Sequence, residues 1–483
     1  MQFFEISLVL FLFITLICMV FTPTKRYLKL FLILSFIAAI LQIVLEGIRW
    51  QMFPSYLLVL FVPLFWFIKK KYCKILSLVI AFSVLFIAAF LPSFFPVFTF
   101  NKPTGKYQIG TITYHFTDSL RNEIFTSQPN QKREIMLQIW YPTNNNFNKD
   151  FAPYIENGNT VTNALAELFG YPKLFFKHLK SVKSNAIPNV EISDDKTQYP
   201  VLIYLTGVNG SRQFSTFQIQ ELVSQGYIVA GLDNPGAVVS VCFPDGRTIK
   251  GLPIEKIKAL IDQSIENLPT IPTLNAIEFK DGIIPYFSND VSFAINCLEK
   301  INENDFQKIL TKHLDINKIG LFGVSLGGIV AAEVAVNDNR IKACLIMESP
   351  MPKNVIKTGL KIPTMIMTRD EQTMRLERKK SGGWSEKDIQ THQYTMKNIY
   401  DRLPSDGYFI KIPKIFHLDF TDAPLWFPYG KYIGLTGEIK SGQVHQIIND
   451  FSVAFFDKEL KNIPSYFLNH VNEKYSEIIY LQK

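Results

Sequence analysis

Lys318-Ile319-Gly320-Leu321-Phe322-Gly323-Val324-Ser325-Leu326-Gly327-Gly328 is the stretch whose reading decides the fold. The apolar run up to Phe322 has the length of a buried strand, and the residues from Leu326 to Val336 have the composition of a helix. Between them, Gly-x-Ser-x-Gly places a serine on a sharp strand-to-helix turn. Glycines are needed there because the backbone is crowded. The turn holds the hydroxyl clear of the sheet, and the new helix directs N–H groups toward a developing oxyanion. The motif alone also occurs as a tight turn with an ordinary serine. The strand and helix that flank Ser325 make it a candidate nucleophile.

Working outward, similar apolar runs recur at Val201–Leu205, Tyr227–Leu232, Ala343–Met347, Thr364–Met367 and Tyr408–Ile412, with a β-prone run at Ile135–Trp140. Helical stretches at Phe214–Gln225, Ser292–Leu298, Leu326–Val336 and Val444–Leu460 are interleaved with them. This alternation predicts a mostly parallel sheet with helices on both faces. A serine hydroxyl needs a base, which in such folds follows the nucleophile in the chain, after a late strand. Of seven histidines, only His417 does so, in Pro413-Lys414-Ile415-Phe416-His417. His115, His178 and His313 precede the serine; His392, His445 and His470 belong to helices or the terminal region. Glu348 and Asp370 each follow a strand, and either is a candidate acid to orient the imidazole.

The first hundred residues differ in kind. Ile6–Phe21, Leu30–Leu45, Met52–Ile68 and Ile75–Leu91 are nearly continuous apolar runs, which predict four membrane-spanning helices. The first lacks the basic leader and small-residue cleavage site of a signal peptide. Lys25, Arg26 and Lys29 flank the first and second runs, and Lys69, Lys70, Lys71 and Lys74 the third and fourth. Basic loops stay cytoplasmic, so the part after Leu91 is expected on the extracytoplasmic side. Phe94, Phe95, Phe98 and Phe100 are expected at the outer interface. Glu5, Glu46 and Arg49 fall at the ends of spans, where solvated charges are expected and an anchor is favoured over a transporter. The expected organisation is a transmembrane region over 1–97, a linker over 98–109 and a catalytic domain over 110–483.

Composition removes other classes. The net charge is +8, but Lys and Arg are scattered rather than gathered with aromatic residues, which argues against nucleic-acid binding. The five cysteines form no CxxC pair or Cys/His cluster, so neither a metal site nor another cofactor is expected.

Gln138-Ile139-Trp140-Tyr141-Pro142, Tyr199-Pro200-Val201 leading to Thr206-Gly207, and Gly226-Tyr227-Ile228-Val229-Ala230 form a recognisable set with the Ser325 turn and His417-Leu418-Asp419-Phe420-Thr421-Asp422. Together they resemble the platelet-activating factor acetylhydrolases of the plasma and intracellular type-II kind and their bacterial relatives. The resemblance implies an α/β-hydrolase fold and a calcium-independent serine esterase, with a lipid or small ester as substrate. It implies Ser325 as nucleophile, His417 as base, Glu348 as acid, and the Val208 and Leu326 N–H groups as oxyanion donors. The chain departs from the family pattern at Val324 (usually His), Thr206 (usually His) and Glu348 (usually Asp), which keeps Asp370 as an alternative acid. The departures also leave room for a non-catalytic membrane sensor or scaffold. An acyltransferase or polyester hydrolase would use the same serine. The segment Leu165–Lys180, rich in aromatic residues and lysine, suits either a helix in the membrane interface or one packed on the sheet.

Overall fold

The computed structural model describes residues 1–21, 25–126, 128, 130–144, 150–404 and 406–483. Four N-terminal helices, α1 (Phe3–Phe21), α2 (Tyr27–Glu46), α3 (Trp50–Phe67) and α4 (Lys71–Phe94), are each long and apolar enough to cross a membrane. Their inward stripe, including Leu8, Leu12, Leu16, Leu58 and Leu85, is fully packed. Outward residues such as Leu10, Ile33, Phe86 and Phe90 remain exposed. The side chains of Lys25 and Arg26, two of the three basic residues of the first loop, lie outside the described residues.

The expectation of solvated charges at the helix ends is corrected here. Glu5 and Arg49 are buried and form an ion pair, and Arg49 Nη2 also donates to the Phe95 carbonyl at 2.5 Å. Glu46 accepts from the Phe4 N–H at 2.7 Å, closing the start of α1 onto the end of α2. Glu5 and Arg49 are drawn inward because each neutralises the other, while the half-buried Glu46 satisfies a backbone N–H at the start of α1.

The rest of the chain is built on a ten-stranded sheet. Its strands are β1 (Gln108–Asn122), β2 (Lys132–Thr143), β3 (Ala186–Pro188), β4 (Tyr199–Leu205), β5 (Ile228–Asp233), β6 (Leu314–Val324), β7 (Ile341–Met347), β8 (Thr364–Thr368), β9 (Gly407–Lys411) and β10 (Ile479–Gln482). In space the order is β10-β9-β8-β7-β6-β4-β5-β2-β1-β3. The run from β9 to β5 is parallel throughout; β2 pairs antiparallel with both β5 and β1, and β10 antiparallel with β9. Alternate residues of the central strands serve two cores. Val201, Ile203 and Leu205 face helices α7 (Ile254–Ile265), α8 (Ile284–Glu303) and α9 (Leu326–Asn337). Leu202 and Tyr204 face α6 (Thr216–Ser224) and the long α12 (Ser441–Lys461). That two-residue period, with both faces buried, is why these strands read as continuous apolar runs.

Leu165–Lys180 is not one helix. α5 (Gly158–Leu168) stops short, Gly170 adopts φ +67°, and a brief 3-10 turn forms at Lys177–Ser181. Phe176 and Leu179 are buried, while Phe169, Tyr171 and Leu174 stay exposed. The expected outer-interface cluster divides similarly. Phe94 stacks on Tyr429 and Phe95 packs edge-on to Phe175, whereas Phe98 and Phe100 close on Tyr154 of the soluble part.

Candidate active site

Ser325 sits where β6 passes into α9, with φ 57° and ψ −124°. A non-glycine residue in this region is held there by its surroundings at a cost of roughly 1–3 kcal/mol. The neighbouring glycines explain how. A Cβ on Gly327 would lie 1.9 Å from the Leu205 carbonyl oxygen, and one on Gly323 would lie 2.4 Å from the Gly327 backbone. The Ser325 N–H donates to the Met347 carbonyl at 2.9 Å, and its own carbonyl accepts from Ser349 Oγ at 2.6 Å.

The loop after β4 closes on this turn: a Cβ on Gly207 would stand 3.2 Å from Ser325 Cβ. The Val208 N–H, outside any helix or strand, has no hydrogen-bond acceptor among the described residues. Leu326, as the first residue of α9, has no intrahelical acceptor for its N–H. Val208, Ser325 and Leu326 together line one cavity of about 410 Å³. Ile254, Ile261 and Ile265 of α7 form one wall, and Trp384 with Pro350 another. Lys258 lies 3.8 Å from Asp388, and Lys387 pairs with Glu266 at 2.7 Å, so ion pairs join α7 to α11 (Glu386–Arg402) along the rim.

Glu348 follows β7 with φ 53° and is wholly buried. His417 Nδ1 lies 3.8 Å from Glu348 Oε1, longer than a hydrogen bond. The His417 ring stands edge-on to Trp384, with centroids 5.3 Å apart. Through Trp384 the imidazole adjoins the cavity that holds Ser325, although among the described residues Ser325 Oγ and His417 share no hydrogen bond. Burial alone would raise the Glu348 carboxyl. The Arg369 guanidinium beside it, helped by His392 and His417, instead holds it well below the usual carboxylate range.

Asp370 is placed differently. It caps α10 (Glu371–Ser381), accepting from Thr373 N at 2.9 Å and Thr373 Oγ1 at 2.7 Å. Of the two candidate acids, the structure brings Glu348 to His417 and commits Asp370 to a helix end. Asp419 and Asp422, in the segment after His417, are also structural. Asp419 accepts from the Phe416 and Gly437 N–H groups, and Asp422 from those of Thr216 and Phe217 at the start of α6.

Sequence reasoning missed Arg369, Glu377, His392 and Trp384. Arg369 bridges Glu348 and Glu377, and His392 Nε2 approaches Glu348 Oε1 to 3.7 Å. The available signal was an arginine directly at the end of a buried strand, where a lone charge demands a partner.

Residues 93–254 match the family described as Platelet-activating factor acetylhydrolase, isoform II. This stretch contains β1 to β5 and the Val208 loop and ends at the start of α7, before Ser325. The resemblance read from the sequence to the platelet-activating factor acetylhydrolases is borne out there. Among solved structures, a ferulic acid esterase from Streptomyces cinnamoneus is similar, with a TM-score of 0.59 and 22 % identity. The alignment covers 79 % of this chain and 98 % of that one, and it shows the α/β-hydrolase fold. No curated protein matches. The acetylhydrolase match supports an esterase-type hydrolase.

Proposed function

We propose that this chain is a membrane-anchored serine esterase that hydrolyses lipid or short-acyl esters at the extracytoplasmic surface of a bilayer. The observation that carries the reading is the strained Ser325 turn opening into an apolar chamber, with an imidazole–carboxylate pair alongside. Ser325 Oγ attacks the ester carbonyl while His417 Nε2 takes its proton. The same imidazole then protonates the departing alkoxide, and a water repeats the cycle on the acyl-serine. Glu348 steadies the Nδ1 proton of His417, and the Val208 and Leu326 N–H groups receive the oxyanion. Hydrogen bonds of this kind are commonly long until substrate closes them, as the His417–Glu348 distance is here.

A chamber of about 410 Å³ walled by isoleucines suits a short acyl or aromatic group rather than a whole two-chain lipid. Two segments close in sequence to its lining carry exposed apolar or aromatic residues. Lys250, just before the chamber wall at Ile254, pairs with Glu167 next to exposed Leu168 and Phe169. Gly434 lies against Lys380, four residues before Trp384 in the chain, and its loop carries Tyr429, stacked on Phe94. Four apolar helices and these exposed aromatic residues support delivery of substrate from the bilayer surface, and the basic loops support the extracytoplasmic side.

The test is hydrolysis of p-nitrophenyl esters of increasing chain length by the detergent-solubilised protein, together with fluorophosphonate labelling. Activity concentrated on short esters, covalent labelling at Ser325, and a loss on the order of 10⁶ in kcat for Ser325→Ala are expected. Ester turnover by Ser325→Ala at the parent rate would overturn the assignment.

A further inference from the structure

The Glu348 carboxylate is held from several directions besides His417. Arg369 Nε donates to Oε1 at 2.6 Å, and Thr368 Oγ1 donates to Oε2 at 3.0 Å. The Arg369 backbone N–H also reaches Oε2, at 3.3 Å. On its far side the guanidinium pairs with Glu377. The other carboxylate oxygen of Glu377 accepts from the backbone N–H of His417 at 3.3 Å. One buried guanidinium thus sets the place of both the carboxylate and the main chain that carries the imidazole.

We propose that Arg369 is a positioning residue for ester hydrolysis: bridging Glu348 and Glu377, it fixes the Glu348 side chain and the His417 backbone in one frame, leaving Oε1 turned to the His417 Nδ1. The inference rests on the serine-esterase reading above.

A glutamate has one more rotatable bond than the aspartate usual at this place. The planar guanidinium fork, with donors in fixed directions, removes that freedom more completely than a point charge would. The charge balance also fits. Two carboxylates flank one guanidinium, so negative charge remains to favour a proton on His417 during the reaction. The other titratable groups facing Arg369 are His392, whose ring nitrogens have no hydrogen-bond partner among the described residues, and Asp419. The guanidinium lies over the Trp384 ring, 5.6 Å from its centroid. Trp384 also contacts His417 and lines the chamber, so the frame extends to the chamber wall.

The experiment compares Arg369→Gln, Arg369→Lys and Glu377→Gln with the parent full-length protein, counting active sites by fluorophosphonate titration before measuring kcat and KM. A misplaced orienting group costs about 10²-fold, so Arg369→Gln is expected to lose about that much kcat per titrated site with KM little changed. Arg369→Lys should recover only part, because charge without the fork does not fix the carboxylate. Parent-level kcat per site in Arg369→Gln, or full recovery in Arg369→Lys, would overturn the proposal. If Arg369→Gln does not fold, Glu377→Gln decides: a lower kcat per site supports the frame, and an unchanged one overturns it. A parent protein that takes no label rejects the esterase reading itself, and the frame falls with it.

Discussion

At Glu348 and Asp370 two carboxylates that look interchangeable in sequence have distinct environments. Glu348 meets Arg369, Thr368 and His417, whereas Asp370 spends both oxygens on Thr373. Glu348→Gln keeps the shape but cannot stabilise the imidazolium, so a kcat loss of about 10⁴-fold is expected, as for other triads whose acid becomes an amide. Asp370→Ala should instead lower stability by about 1 kcal/mol, the value of an N-cap, with kcat preserved. Measuring kcat and the thermal midpoint of both variants checks the division; a severe kcat loss in Asp370→Ala would reverse it. Ser325, His417 and the two candidate acids were legible because each follows a strand. Arg369 was not, since an arginine beside an aspartate reads as a surface pair until the fold buries it.

Among the elements, α6 begins where the Val208 loop ends, and its first N–H groups are capped from far along the chain by Asp422. Burial against few charges pushes that carboxyl up to about 7, although the two N–H donors oppose the rise. Asp422→Ala leaves both donors unsatisfied and should cost about 2 kcal/mol. Asp422→Asn retains one acceptor and should recover much of it. Unfolding midpoints in detergent test this, and equal midpoints for the alanine variant and the parent would refute it. The central strands could be read in advance because both faces are buried. β1 was overlooked because its second half is largely exposed and carries Asp118, Ser119 and Arg121. α10 was overlooked because its sequence, Glu371-Gln372-Thr373-Met374-Arg375-Leu376-Glu377-Arg378-Lys379-Lys380, is almost wholly polar. The Leu165–Lys180 helix failed because amphipathic composition outweighed the break that Gly170 and Pro172 impose.

Across the whole molecule, three histidines are buried as neutral rings. Burial lowers His178 to about 3, His392 to about 4 and His445 to about 4. A group depressed in the folded state stabilises it above the unfolded value of about 6.5 and loses that contribution as pH falls toward the folded value. Each histidine therefore withdraws about 1.4 kcal/mol per pH unit below about 6.5. Asp422, and Asp419 raised to about 6, act oppositely: their contribution is fullest in acid and fades as pH rises through these values. His445 stacks on Phe217 with centroids 3.8 Å apart, and its Nε2 donates to the Thr421 carbonyl at 2.9 Å, so phenylalanine keeps the stack and gives up one hydrogen bond. His445→Phe should shrink the drop in thermal midpoint between pH 7 and pH 5, read by scanning calorimetry (about the working range of such a switch). An undiminished drop would show that this ring is not a source of acid sensitivity.

The Glu5–Arg49 pair, with its tie to the Phe95 carbonyl, joins α1 to the point where α4 gives way to the sheet-bearing part of the chain. Without α1 the Arg49 guanidinium would lose its carboxylate partner beside that junction. Burying a charge without its counter-ion is costly, so the seating of α1 and the order of that junction should rise and fall together.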